Sequence, residues 1–98
     1  GYRGSATQTG YGGSATQTGD GGSATQTGDR GSASCGAHGV AAAFFNGRKC
    51  KCQKMGCIII GYWDGYRFRQ VVGYEGEGIK ADTWYCLNDK HQFEEVTE

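Results

Sequence analysis

An excess of charge of either sign is missing from this sequence: its ten Lys and Arg are matched by ten Asp and Glu over 98 residues. Without that excess there is no electrostatic footprint for nucleic acid or for an anionic membrane surface, and neither partner is expected. Long apolar runs are missing as well. The Ile-rich stretch from Cys57 to Ile60 falls far short of the ~20 residues that a membrane span requires. No charged-then-apolar stretch has the form of a secretory leader; since residue 1 is Gly and not Met, that absence excludes nothing. No helical apolar period of useful length is present, and proline is absent, so Gly, Asn and Asp are left to punctuate the chain. Aromatics are scarce at one end: only Tyr2 and Tyr11 precede residue 40, whereas ten follow it. A chain this short buries a modest fraction of its surface and has little stability in hand.

What the chain does have is a repeat. Gly-Ser-Ala-Thr-Gln-Thr-Gly occurs unchanged from Gly4, Gly13 and Gly22, and a strict nonapeptide period with Gly at the corners is the mark of a stacked β architecture. Counting in nines from Gly4 carries the frame through 31–39, 40–48 and 49–57. Its third position then reads Ala6, Ala15, Ala24, Ala33 and Ala42, and its fifth Gln8, Gln17, Gln26, Cys35 and Phe44. These two positions share one face of a strand, and that face grows more apolar towards the C-terminus, so it is expected to point inward. Nine residues are too few to close a turn with two opposed strands, so two nonapeptides per turn, ~18 residues, are expected. Gly1-Tyr2-Arg3 matches the last third of a repeat, which leads to the expectation that further repeats or another domain precede it, and that the open edge there pairs with another chain.

The second part reads as β structure of a different kind. Cys57 to Trp63 is a strand, Asp64-Gly65 a two-residue hairpin turn, and Tyr66 to Val72 the return strand. Short strands follow at Ile79-Lys80, Trp84 to Leu87 and Gln92 to Val96. The expected fold is all-β: a short nonapeptide-repeat β-solenoid, or β-roll, over residues 1–57, closed by a small antiparallel β-hairpin cap over 58–98. Ile58, Ile60, Trp63, Phe68, Trp84 and Phe93 are the candidate cap core.

The degenerate Gly-Ser-Ala-Thr repeats, Met55-Gly56-Cys57-Ile58-Ile59-Ile60, Ile79-Lys80-Ala81-Asp82-Thr83-Trp84-Tyr85 and the closing Phe93-Glu94-Glu95-Val96 together resemble an uncharacterised repeat family of gut bacteria and their phages. More distantly, the repeats resemble the β-roll heads of trimeric autotransporter adhesins. The resemblance implies a phage virion or bacterial surface setting and carries no activity with it. This chain departs from the family pattern at Cys50 and Cys52 beside Lys49 and Lys51. In the frame of nines Lys51 falls on the inward face, so either the register slips there or the turn opens.

Chemistry is sparse. Five cysteines, at 35, 50, 52, 57 and 86, cannot all pair within one chain. Cys50-x-Cys52 with Cys57 and His38 lacks the ligand spacing of a zinc site, so no metal or other cofactor is expected. Cys50 and Cys52 share a face if they lie on a strand, which makes them candidates for a cross-link to a neighbouring chain. Cys35 and His38 are the nearest approach to a nucleophile and base, yet no third group or oxyanion site accompanies them, and no enzyme is expected. Asp20 and Asp29 lack the spacing of calcium-binding β-rolls and are assigned to turns. Thr7, Thr9, Thr16, Thr18, Thr25 and Thr27 form Thr-x-Thr pairs that, facing outward, resemble the flat faces of ice-binding solenoids. With two nonapeptides per turn these pairs divide between two sheets, and no face carries more than two ranks of them. The expectation is therefore a non-enzymatic structural or adhesive module that forms a homo-oligomer or filament at an extracellular surface or in a virion. The alternatives are an accessory protein that binds a host protein or small ligand through the aromatic cap, and ice binding.

Overall fold

In the computed structural model, which describes residues 5–8, 12–17, 20–28 and 30–96, each Ser-Ala-Thr-Gln is one short strand. These are β1 (Ser5–Gln8), β2 (Ser14–Gln17) and β3 (Ser23–Gln26). Four residues cannot satisfy their own backbone donors and acceptors, and each strand finds its partner two strands away in sequence. β4 (Ser32–Cys35), β5 (Val40–Ala43), β6 (Lys49–Lys51) and β7 (Cys57–Trp63) continue the pattern. β8 (Phe68–Tyr74), β9 (Tyr85–Leu87) and β10 (Phe93–Glu95) complete the chain. Among the described residues there is no helix. The strands form two five-stranded mixed sheets, one in the order β1-β3-β5-β7-β8 and the other in the order β10-β9-β6-β4-β2. Up to β7 the chain thus changes sheet after every strand, with parallel pairing inside each sheet.

The register departs from strict nines. Ser5 lies opposite Ser23 and Ser14 opposite Ser32, an offset of two nonapeptides. Thereafter Ser23 lies opposite Val40, Ser32 opposite Lys49 and Val40 opposite Cys57, each one residue short of that offset. The missing residues are at two corners. In 36–39 and 53–56 a tight turn forms, with Gly39 N–H donating to Gly36 O (3.2 Å) and Gly56 N–H to Gln53 O (3.1 Å). At the equivalent place in each turn a non-glycine residue takes the left-handed conformation, His38 (φ 58°) and Met55 (φ 62°).

A one-residue slip in a strand moves every side chain to the other face, and this corrects the expected inward column. Ala41, not Ala42, faces Ala24, and Ala43, not Phe44, faces Gln26. Ala42 stands on the outer face between Thr25 and Ile59 and is buried there by its neighbours. Lys51 likewise leaves the interior: Cys50 takes the rank of Ala33 and Lys51 that of Ser34.

The interior fills as the chain proceeds. Ala15, Ala24, Ala33, Ala41 and Ala43 give way to Cys35, Cys50 and Cys52, then to Ile58, Ile60, Ile79 and Tyr85, with Ala6, Leu87 and Phe93 packed against them. β7 belongs to both halves of the fold: it runs parallel to β5 and antiparallel to β8, so the expected boundary at 57/58 falls at its first residue. β9 is antiparallel to β6, at Cys50 opposite Tyr85, and to β10. The hairpin turn is one residue later than expected. Asp64 N–H donates to Arg67 O at 3.1 Å, leaving Gly65 (φ 101°) and Tyr66 as the central pair, the glycine-first arrangement whose twist suits a two-residue hairpin.

Two members of the expected cap core are surface residues. Ile58 and Ile60 are fully buried and Phe93 is half-buried on the core, but Trp63 is 52% exposed and Phe68 36%. Trp63 pairs with Phe68 on the face of the hairpin that carries Ile59 and Val72, which is the outer face of the sheet. Trp84, half-buried, lies under the ammonium groups of Lys49 and Lys51, at 4.6 and 5.1 Å from the ring centroid.

Candidate functional site

Inward positions hold three of the five thiols. Cys35, Cys50 and Cys52 are buried, and Cys57 and Cys86 are half-buried. The inward placement of Cys50 and Cys52 corrects the idea that they face a neighbouring chain: each has 0% of its surface exposed. Burial pushes the Cys50 thiol up to about 12, and its Sγ donates to Ile59 O across the interior at 3.5 Å. Burial also raises Cys57 and Cys86. The neighbouring thiols act on each other in opposite senses, raising Cys35 and lowering Cys52. A thiol raised by its surroundings is a poor nucleophile at neutral pH.

Cys35 and His38 do not form a dyad. Cys35 Sγ donates to Cys57 O at 3.9 Å, while the exposed His38 ring turns to the Asp20 carboxylate, Nδ1 to Oδ1 2.9 Å. Asp20 thus ties one corner to the next. Asp29 lies outside the described residues. No group of three or more His, Cys, Asp or Glu suited to a metal occurs among the described residues.

The Thr-x-Thr pairs are only partly within the described residues, since Thr9 and Thr18 lie outside them. Thr7 and Thr25 are in register on one sheet, and the next residue in that column is Ala42. Thr16 is on the other sheet, followed by Ser34 and Lys51. Thr27 is exposed beyond the end of β3. Among the described residues the threonine column therefore has two ranks on one sheet and one on the other.

The outer face of the β1-β3-β5-β7-β8 sheet is chemically more distinctive. Its columns read Ser5, Ser23, Val40, Cys57, Tyr74 and Thr7, Thr25, Ala42, Ile59, Val72, and the outer positions of the hairpin end with Gly61, Gln70, Trp63 and Phe68. Among the described residues no charged side chain belongs to these columns. Val40, Val72, Tyr74, Trp63 and Phe68 are exposed. Phe45 continues the patch, its ring edge-on to Phe68 at 5.0 Å, and Trp63 meets Phe68 at 5.1 Å. At ~4.8 Å per strand and ~3.3 Å per residue, β5, β7 and β8 alone present roughly 290 Å² in flat projection, and Phe45 extends this towards the ~300–600 Å² of the largest apolar patch on a typical monomer. The other sheet differs: Lys49, Lys51 and Trp84 are on its outer face, with Lys51 Nζ 3.2 Å from Asp82 Oδ1.

The apolar run of β7, the Asp-Gly turn and the partial alternation of β8 mark this strand pair from sequence, but which side chains face out depends on the corner slips, which the frame of nines passes over. Comparison with protein-family models, curated proteins and solved structures gives no match.

Proposed function

We propose that this chain is a non-enzymatic structural or adhesive module, a short β-solenoid with two strands to each turn that associates with further copies of itself in a phage virion or bacterial surface protein. The observation that carries the reading is the charge-free, apolar outer face formed by β5, β7 and β8. An uncharged surface meets an identical surface without like-charge repulsion, and burying its aliphatic and aromatic side chains stabilises contact at ~25 cal/mol per Å² of apolar area. The offsets of seventeen and eighteen residues between parallel partners support the solenoid part of the reading. The virion or surface setting rests on the resemblance of the repeats and of Ile79 to Tyr85 alone.

Sedimentation velocity over a hundredfold concentration range tests it. A weight-average mass that rises with concentration is the expected result; a monomer of 10.4 kDa throughout would overturn self-association. A second reading has one observation in its favour. Phe45, Trp63 and Phe68 cluster beside Tyr66, which is 89% exposed, and such a cluster is also suited to a host protein or small ligand. A monomer whose Trp fluorescence responds to a host extract fraction would favour that alternative. Ice binding gains nothing from two ranks of threonine.

A further inference from the structure

Two buried thiols occupy equivalent places on neighbouring parallel strands. Cys35 ends β4 and Cys52 follows β6, one step beyond the in-register pair Ser34 and Lys51. Parallel neighbours lie ~4.8 Å apart, inside the ~4.4–6.8 Å range of Cα separations that disulfides span. The tight corners that follow them are alike as well. A Cβ built on Gly39 would lie 3.2 Å from Cys35 Cβ, and one built on Gly56 would lie 3.0 Å from Cys52 Cβ. Each glycine therefore holds its corner close against its cysteine in the same way, and the two Cβ atoms are presented alike.

The other cysteines are not so placed. Cys50 reaches across to Ile59, and Cys57 and Cys86 are on outer columns, paired with Tyr74 and Glu94. A recess of about 380 Å³, lined by Thr16, Ser34, Cys35, Gly36, Lys51 and Gln53, opens beside Cys35.

We propose that Cys35 and Cys52 are a disulfide site, and that their oxidation staples two successive strands of one sheet together at the shortened corners. With glutathione disulfide as oxidant, one thiolate attacks a sulfur of the disulfide and expels glutathione thiolate; the second thiolate then attacks the mixed disulfide and expels the other. Two electrons pass to glutathione disulfide, and the two protons from the cysteines leave with the two glutathione molecules. The staple closes a loop of moderate length and adds stability by restricting the unfolded chain.

The test uses the whole folded protein, incubated with glutathione disulfide, blocked with an alkylating agent and digested with trypsin without reduction. Cleavage after Lys51 separates Cys50 from Cys52, so the predicted link joins Gly31–Arg48 to Cys52–Lys54 alone. The expected results are a loss of about 2 Da from the intact chain, two fewer alkylated thiols, and a Tm about 10 °C above that of the reduced form. Cys52→Ser should lose all three changes while keeping the circular dichroism of the reduced wild type; should that variant not fold, the peptide map of the wild type decides. A folded protein that gains no link at any glutathione ratio, or one whose link maps to Cys50, Cys57 or Cys86, overturns the proposal.

Discussion

Asp64 organises the β7–β8 turn with a single carboxylate. Its Oδ1 accepts the N–H groups of Tyr66 and Arg67, both at 2.8 Å, and its Oδ2 accepts Arg69 Nε. The bond from Arg67, then that from Arg69, then that from Tyr66 hold its pKa down, to about 2. An unfolded Asp titrates near ~3.9, so the folded state binds the proton less tightly than the unfolded state. The stability from this carboxylate is therefore fully present above about pH 4 and is lost as pH falls through about 2. Asp64→Asn should lower Tm at pH 6 and leave it unchanged near pH 1.5; a constant difference between wild type and variant across that range would show that the charge contributes nothing. The sequence made Asp64 legible as a turn residue, because Asp-Gly between apolar stretches favours a hairpin, but not its role as acceptor outside a Gly65-Tyr66 turn. The same limit holds for Trp63 and Phe68, which large aromatic area assigns to a core and register assigns to the surface. Ile58 and Ile60 were legible because both fit the alternation of a half-buried strand and both sit in the inward column.

At the scale of the strands, the nonapeptide predicts two repeats to a turn divided between two sheets, and β1 with β3 and β2 with β4 pair at that offset of eighteen residues. From β5 onward the frame fails because the corners at 36–39 and 53–56 are one residue shorter. A local change of one residue has no signature in composition, yet it moves Ala42 and Lys51 outward. The signal available was the repeated corner itself, since Cys35 to Gly39 and Cys52 to Gly56 are cysteine and glycine at the same spacing seventeen residues apart. Met55 is the position at which that corner is most readily tested. It is 61% exposed, so substitution forfeits little packing, and it has φ 62°, a region costing roughly 1–2 kcal/mol for a residue with a Cβ. Met55→Gly removes that cost but gives the unfolded chain more freedom, worth ~0.4–1 kcal/mol in the opposite direction. The expected change in urea-unfolding free energy is within about 1 kcal/mol of zero, whereas Met55→Val, β-branched in the left-handed region, should lose about 1–3 kcal/mol. Equal effects of the two variants would mean that the corner opens to accommodate either.

Across the whole molecule the overall charge balance conceals a separation: residues 1–57 carry six Lys or Arg and two Asp or Glu, and residues 58–98 carry four and eight. Part of that opposition is neutralised internally where the two halves meet, at Lys51 and Asp82, and the rest is kept off the outer face of the β1-β3-β5-β7-β8 sheet. That exclusion makes the face testable as the surface of association. Val72 and Tyr74 are 45% and 52% exposed and point outward from β8, so Val72→Lys with Tyr74→Lys places two charges on the patch without disturbing Ile58, Ile60 or the inward columns. Each ammonium would have to be desolvated against an apolar partner surface, a cost of several kcal/mol unless it is paired. The double variant should unfold within about 1 kcal/mol of the wild type and remain monomeric at concentrations where the wild type associates. Lys90→Glu, in the exposed turn between β9 and β10, changes charge away from this face and should associate as the wild type does. If the double variant still assembles, contact is made through another surface, of which the terminal strands of the two sheets, β1, β8, β2 and β10, are the candidates, since a sheet edge is where a further strand can add.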